Sequence, residues 1–195
     1  MAIQKSEEKR QKILQAAIQL FSENGYSKAT IKDISKEAGV SFGTVFTYYE
    51  TKDKLFEAAV LEPLEEMKQV LLSHAEDQED IIDQIKETIR MHMMYFARQA
   101  TYARMVQYVI GQRERFPELF DELNAFTEDL QDSLKPLVEK GQEAGVLIKL
   151  DPKNVAITYL AYINGVRLTT IDDIDQVPAW NMFVDHAFLL FGPKQ

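Results

Sequence analysis

Apolar residues recur at intervals of three and four along almost the whole chain, and this spacing limits the possible fold more than any other feature. A clear example follows Pro117: Leu119, Leu123, Phe126, Leu130, Leu134 and Leu137. Such spacing is typical of an amphipathic helix, whereas a half-buried strand alternates apolar and polar residues. Residues 146–148 are apolar, but this run is too short and too isolated to pair as a strand. The pattern therefore predicts an all-α fold.

Glycine, proline and capping residues divide this pattern into about nine helices. Gly25, Gly39 and Gly145 end helices because glycine readily adopts a left-handed cap conformation, and Pro117 begins one. Pro63 bends or breaks the fourth helix. The predicted helices cover residues 7–23, 31–38, 42–48, 52–73, 77–98, 101–113, 117–144, 152–171 and 178–191, with an acidic loop at 172–175.

Composition excludes several classes of protein. Hydrophobic residues make up 46% of the 195 residues and charged residues 27%, so the chain can bury a core. It has no cysteine, which excludes disulfide scaffolds and thiolate metal sites, and its 3 histidines are far apart, so no metal or cofactor is expected. No apolar run approaches the ~18 residues of a membrane span, and the N-terminus lacks a secretory h-region. We therefore expect a cytoplasmic protein that does not enter a membrane.

The net charge of −9 argues against a polyanionic partner, but it is unevenly distributed. Residues 1–56 carry nine lysines and arginines against seven acidic residues, whereas the rest of the chain carries a net charge of −11. The N-terminal end could therefore approach a phosphate backbone that the remainder would repel.

The two short predicted helices at 31–38 and 42–48 are joined by Gly39-Val40-Ser41, as in a helix-turn-helix. An ordinary αα-hairpin has the same spacing. The residue content favours DNA binding, because the second helix carries rings and hydroxyls without charge and has lysines on both sides. A purely structural surface helix usually carries glutamate and lysine instead.

Residues 13–56 read ILQAAIQLFSENGYSKATIKDISKEAGVSFGTVFTYYETKDKLF. This segment resembles the N-terminal domain of the TetR family of bacterial transcriptional regulators. The resemblance implies a three-helix DNA-binding domain with a helix-turn-helix at residues 1–51, followed at 52–195 by a helical bundle for effector binding and dimerisation.

The resemblance also implies the function: a ligand-responsive regulator, expected to be a repressor, that binds a palindromic double-stranded DNA operator as a homodimer. A small, mainly apolar effector would release the operator by favouring a wider separation of the two reading heads. The alternative is an all-α cytosolic enzyme or binding protein that does not engage DNA. The net negative charge of the chain favours this alternative. Against it, the sequence shows no nucleophile–base pair and no glycine-rich phosphate loop.

The resemblance assigns phosphate contacts to Thr44, Tyr48 and Lys52, and the base-facing surface to Phe42, Gly43, Phe46 and Thr47. Thr30 and Ser41 are expected to cap helices whose N-terminal amides point at phosphates. Lys28 is expected to contact phosphate, although it could simply be solvated. By their spacing, Ile34 and Tyr49 are expected in the core.

The predicted helix at residues 42–48, here called the reading helix, departs from the commoner family pattern, in which many relatives have tyrosine at the position of Phe46 and a polar residue at that of Phe42. Residues 41–49 contain no Arg, Lys, Asn or Gln, the side chains that read base edges in bidentate fashion. We therefore expect operator choice to depend on thymine-methyl contacts, hydroxyl contacts and DNA deformability.

The body of the chain suggests two further sites. Residues 91–116 mix methionines with aromatic residues, which suits an adaptable apolar pocket or an ordinary core in which His92 bonds a backbone carbonyl. The candidate ligand-binding residues are His92, Met93, Phe96, Met105, Tyr108, Arg113 and Asn164.

The last predicted helix is apolar on too many sides for a surface helix, and small residues on the preceding helix allow close approach. In the family these two helices of each subunit form a four-helix bundle across a two-fold axis; burial within one chain is the alternative. The candidate dimer-interface residues are Ala161, Gly165, Trp180, Phe183, Val184, Ala187 and Phe191.

Overall fold

The computed structural model describes residues 2–73, 80–170 and 177–194, without the side chains of residues 2, 3, 167–170 and 177–179. Within these ranges the chain forms nine helices and no strand, which confirms the predicted all-α fold. They are α1 (Ala2–Lys28), α2 (Ile31–Glu37), α3 (Phe42–Tyr48), α4 (Lys52–Leu71), α5 (Ile81–Ala97), α6 (Ala100–Gly111), α7 (Pro117–Glu143), α8 (Pro152–Thr170) and α9 (Val177–Leu189).

The chain divides into two compact units. The first comprises residues 1–67 and 101–124, and the second comprises residues 68–100 and 125–195. This division follows contacts within the chain. The predicted domain boundary after residue 51 was drawn between two expected functions, DNA binding and effector binding, and it stays a prediction.

The N-terminal helix is longer than its apolar pattern predicts. Residues 4–9 of α1 are exposed, so its first turns carry no buried residue that could indicate a helix. The helix is interrupted at Gly25, where the sequence predicted its end. The φ of 68° and ψ of 167° at this residue belong to a region of backbone space that is essentially restricted to glycine.

The first unit is built around the buried face of α1. Ile13, Ala17 and Phe21 are completely covered, and α1 packs on α2, which packs on α3. Ile34 and Tyr49 are buried, as predicted. An aromatic cluster in this unit is formed by the rings of Phe21, Tyr26, Phe56, Tyr108 and Phe116. The rings of Phe21 and Phe56 pack edge to face, with centroids 4.9 Å apart.

The second unit has α5, α8 and α9 at its centre, each packed on the other two. The fully buried ring of Tyr159 on α8 lies 5.3 Å from that of Phe191. The segment 146–148, for which no pairing was expected, forms an isolated antiparallel bridge with the chain end: Ile148 N–H donates to Gly192 O at 2.8 Å, and Lys194 N–H donates to Val146 O at 2.9 Å. The two partners are too far apart in sequence for a local pattern to reveal this pairing.

Two predicted features lie outside the described residues. These are the start of the fifth helix at residue 77 and the acidic loop at 172–175. The described part of α5 begins after Asp80, whose carboxylate accepts a hydrogen bond from Ile82 N–H at 2.6 Å and so caps the helix.

Candidate nucleic-acid interface

The turn between α2 and α3 determines how α3 is presented. Thr30 Oγ1 accepts from Asp33 N–H at 3.1 Å and caps α2, and Ser41 Oγ accepts from Thr44 N–H at 3.2 Å and caps α3. Gly39 has a positive φ of 65°, which lets the chain turn sharply after α2. Val45 is the buried residue of α3, so the other side of this short helix faces outward.

The outward face of α3 contains the four residues expected to face bases. Phe42, Gly43, Phe46 and Thr47 are all exposed, whereas Thr44 and Tyr48 at the side of the helix are half-buried. Phe42 and Phe46 are 54% and 39% exposed, and their rings touch edge to face with centroids 5.2 Å apart. The fold therefore exposes two adjacent phenyl rings at the surface.

The hydroxyl groups of α3 already have partners within the chain. Thr47 Oγ1 donates to Gly43 O at 3.3 Å, and the hydroxyls of Ser41 and Thr44 share one hydrogen bond of 2.7 Å. Tyr48 OH shares a hydrogen bond of 3.1 Å with Ser6 Oγ on α1. These bonds use part of the donor capacity that the expected hydroxyl contacts with DNA would need.

The two lysines expected to contact phosphate have different surroundings. Lys28 is exposed at the end of α1. Lys52 is half-buried at the start of α4, and its ammonium lies 4.4 Å from the centre of the Tyr26 ring. Burial lowers the pKa of Lys52, and the nearby charge of Arg115 lowers it further. To reach a phosphate, Lys52 would have to exchange this ring contact for the anion.

The side chain of Arg10 holds the end of α3 through contacts that the sequence did not predict. Arg10 on α1 donates to both carboxylate oxygens of Glu62 on α4, and also to Tyr49 OH at 2.8 Å. Tyr49 is the C-cap of α3, so Arg10 joins three helices at the back of the reading helix. Burial raises the pKa of the Glu62 carboxyl, and the charge of Arg10 opposes this effect. No local signal reveals a pair 52 residues apart.

Comparisons with known proteins identify the family. A family model described as bacterial regulatory proteins of the tetR family matches residues 13–59, and one described as a tetracyclin repressor-like C-terminal domain matches residues 78–168. The chain belongs to the TetR family. The first match covers the whole helix-turn-helix, and the second covers α5 to α7 and most of α8.

Curated relatives of this TetR-family protein include an HTH-type transcriptional repressor of Mycobacterium tuberculosis, which is 38% identical over 114 residues. That match covers 58% of the chain and 56% of the relative, so the chain spans little more than half the length of the first relatives it matches. The negative regulator of a biofilm operon in Staphylococcus epidermidis is 24% identical over 82% of the chain and 78% of its own length.

Solved structures share the fold of this family member. A regulatory protein of the tetR family from Rhodococcus superposes with a TM-score of 0.78 at 22% identity, over 96% of the chain and 98% of that structure. A fatty acid degradation regulator from Bacillus halodurans superposes with a TM-score of 0.71 at 22% identity, over 94% of each chain. At this level of identity the similarity concerns the fold alone.

The candidate effector residues of this TetR-family protein are divided between the two units. Met105, Tyr108 and Arg113 belong to the first unit: Met105 is buried, Tyr108 joins the aromatic cluster and Arg113 is exposed. His92, Met93, Phe96 and Asn164 belong to the second unit, where the first three are buried and Asn164 is exposed.

His92 is fully buried and hydrogen-bonded within the second unit. Its Nε2 lies 3.0 Å from Leu71 O, and its Nδ1 lies 3.0 Å from Tyr159 OH. A carbonyl can only accept, so Nε2 carries a proton; in the neutral imidazole Nδ1 then accepts from the tyrosine hydroxyl. This placement argues against His92 as a ligand anchor and agrees with the alternative of a histidine bonded to a backbone carbonyl.

The first unit also contains a groove that the sequence reasoning did not identify. It has a volume of about 410 Å³ and lies between α4 and the start of α7. Phe56, Leu61, Phe116 and Leu119 supply apolar walls. The charged residues that also line it are Asp53, Glu57, Arg115, Glu118 and Glu122. None of the candidate effector residues lines it.

The candidate dimer residues are of two kinds. Ala161 and Gly165 on α8 are exposed and Phe183 is half-buried. Trp180, Val184, Ala187 and Phe191 are buried within a single chain, so their side chains already have partners without a second subunit. Large apolar residues that do remain exposed on these helices are Ile157, Met182 and Leu189.

The described residues offer neither a metal site nor a membrane-spanning helix. In those residues no cluster of three or more histidine and acidic side chains could hold a metal ion. Among the helices as described, none combines the length and the apolar character needed to cross a membrane.

Proposed function

We propose that this chain is a ligand-responsive transcriptional regulator that represses its target genes in the cytoplasm until a small, mainly apolar effector binds. The observation that carries the proposal is the presentation of α3. This helix is capped by Ser41, held from behind by Val45 and exposed along Phe42, Gly43, Phe46 and Thr47. Its arrangement suits insertion into a major groove of double-stranded DNA.

Phosphate contacts would hold α3 in the groove. The N-terminal amides of α2 and α3, next to the capping residues Thr30 and Ser41, would point at phosphate oxygens, and Lys28 would add a cation. Thr44, Tyr48 and Lys52 flank the exposed face. Because the rest of the chain is acidic, nonspecific affinity would be modest and tight binding would need two heads on matched half-sites.

A homodimer would supply the two heads. Its contact surface would be the exposed apolar side of α8 and α9, including Ile157, Met182 and Leu189 together with the small Ala161 and Gly165. The buried residues Trp180, Val184, Ala187 and Phe191 would support this surface from inside. An Ala161→Arg variant should therefore sediment as a monomer and lose operator affinity, whereas Lys153→Ala, on the same helix, should remain dimeric.

Effector binding would act by differential affinity for the DNA-bound and DNA-free states. The candidate effector contacts stay proposals within each unit: Met93, Phe96 and Asn164 in the second unit, and Met105, Tyr108 and Arg113 in the first. We give His92 a structural role instead. A compound library of fatty acids and aromatic molecules, screened by thermal shift, would supply ligands. If every compound that binds leaves operator affinity unchanged, the switching mechanism is wrong.

The DNA-binding proposal is tested by selecting duplexes from a random library and footprinting the retained sequences. Affinity should fall steeply with salt, with a slope near −0.9 per neutralised phosphate. Lys28→Ala should reduce that slope by about one unit per head engaged, and Lys153→Ala in the second unit should leave it unchanged. A protein that retains no duplex would support the alternative of a binding protein or enzyme that does not engage DNA.

A further inference from the structure

We infer that Phe42 and Phe46 together read the 5-methyl group of pyrimidines in the major groove, so that operator specificity depends on where thymine methyls lie. The inference rests on the proposed DNA-binding function and goes beyond it. It assigns specificity to two named rings and names the chemical group that they recognise.

The first argument is the geometry of the ring pair. The two residues are four positions apart, which places them on one side of α3, and both are exposed. Their rings contact each other with centroids 5.2 Å apart and planes inclined at 65°. This contact restricts the motion of each ring in the free protein, so less side-chain entropy is lost when a methyl group packs against them.

The second argument is the state of the other groups on the same helix. Residues 42–48 have no charged or amide side chain. The Thr47 hydroxyl donates to Gly43 O, and the hydroxyls of Ser41 and Thr44 bond each other. Few donors are therefore available to read base edges by hydrogen bonds. The phenyl rings carry no polar group, so nothing in the chain competes for them through hydrogen bonds.

The third argument is the space beside the rings. Gly43 is exposed, and a Cβ atom built on it would meet nothing within 4 Å. Packing within the chain therefore does not require glycine here, although glycine destabilises a helix relative to alanine. The missing side chain lets a duplex approach the backbone of α3 closely, which brings both rings to the floor of the groove.

The chemistry of the groove then selects the target. Thymine shows its 5-methyl group in the major groove, and cytosine has none at this position. Burying one methyl group against an aromatic ring changes affinity by about fourfold. A symmetric dimer makes the contact twice, so the loss of two equivalent methyls should reduce affinity by about 15-fold.

The experiment uses the full chain and a duplex selected from a random library. Each pair of symmetry-related thymines is replaced by deoxyuridine, which removes the methyl group and keeps the base edge. In a second series, the same T·A pairs are replaced by C·G or by 5-methylcytosine·G, which change the edge and differ only in the methyl group. Fluorescence anisotropy of labelled duplexes gives each dissociation constant.

We expect deoxyuridine to weaken binding by about 15-fold at one or two pairs of positions. At those positions 5-methylcytosine·G should bind tighter than C·G by a similar factor. Phe42→Ala or Phe46→Ala should reduce the ratio of thymine to deoxyuridine affinity towards one. Because both phenylalanines are exposed, circular dichroism should show that both alanine variants are folded. The control Lys28→Ala should weaken binding to both duplexes and leave the ratio unchanged.

Three results would overturn the inference. Thymine and deoxyuridine duplexes could bind equally well, or 5-methylcytosine·G could bind no better than C·G. The ratio could also persist in both alanine variants, in which case it would arise from DNA stiffness. If selection retains no DNA at all, the proposed function fails and takes this inference with it; retained DNA without methyl dependence refutes the inference alone.

Discussion

The guanidinium of Arg10 on α1 and the carboxylate of Glu62 on α4 form a two-pronged ion pair. Arg10 Nη1 lies 2.9 Å from Glu62 Oε1, and Nη2 lies 2.8 Å from Oε2. The same Nη1 donates to Tyr49 OH at the end of α3. One side chain thus couples the first and fourth helices to the helix that we propose reads DNA.

Replacing this arginine should loosen the reading head. Arg10→Lys keeps the charge, but a lysine ammonium cannot form the two-pronged pair with Glu62 and the bond to Tyr49 at the same time. Because the pair is partly exposed, we expect a coupling of about 1 kcal/mol between Arg10→Ala and Glu62→Gln in a double-mutant cycle of urea unfolding. Lys54→Ala, which removes an exposed pair with Glu57, is the control and should cost less. Additive single effects would contradict the coupling.

Two glycines with positive φ should respond differently to alanine. Gly39→Ala introduces only backbone strain, of about 1–2 kcal/mol, since a Cβ there meets nothing within 4 Å. At Gly25 the backbone lies in a glycine-only region, and a Cβ would stand 3.0 Å from Cε2 of the Tyr108 ring. Gly25→Ala should therefore lower the free energy of unfolding more than Gly39→Ala. Equal losses in chemical denaturation would be evidence against this distinction.

Alkaline pH should destabilise the chain through Tyr26. Burial and the bonded carboxylate of Asp53 raise the pKa of this phenol to about 12, and the charge of Arg115 opposes them. The unfolded pKa is about 10, so the folded chain holds this proton more tightly. The stability linked to it is fully present below pH 10 and is lost as pH rises through 12.

Urea unfolding of the wild type and of Tyr26→Phe at several values from pH 8 upward measures this effect. The wild type should lose its advantage over Tyr26→Phe as the pH approaches 12, because phenylalanine has no proton to lose. Tyr48→Phe leaves the contacts of Tyr26 intact and should follow the wild type. Parallel curves for the wild type and Tyr26→Phe would show that Tyr26 does not control the alkaline loss.

His92 should matter for stability rather than for effector binding. His92→Phe would leave the carbonyl of Leu71 and the hydroxyl of Tyr159 buried without this partner. We expect a loss of about 2–6 kcal/mol in the free energy of unfolding, since each of the two orphaned groups costs roughly 1–3 kcal/mol. Tyr159→Phe removes only one of the two bonds and should cost less. A His92→Phe protein of wild-type stability that fails to bind effectors would restore His92 as an anchor.

Much of the local structure was predictable because its causes are short-range. Thr30 and Ser41 cap helices through bonds to residues three positions away, and Gly25 interrupts α1 where the apolar pattern stops. The residues of α3 expected to face bases came from the family resemblance, and they are exposed in the structure, whereas Val45 is buried. The start of α1 was missed, because its exposed first turns carry no apolar pattern.

The sequence by itself therefore determined most of the helices, the caps at Thr30 and Ser41 and the uncharged character of the reading helix, since residues close together in the chain decide all three. Only the tertiary structure decided that Arg10 braces Tyr49, that Lys52 lies over Tyr26, and that Leu71 and Tyr159 occupy both nitrogens of His92. These contacts join residues 21 to 67 positions apart. Partners so distant are chosen by the packing of whole helices, which no local pattern records.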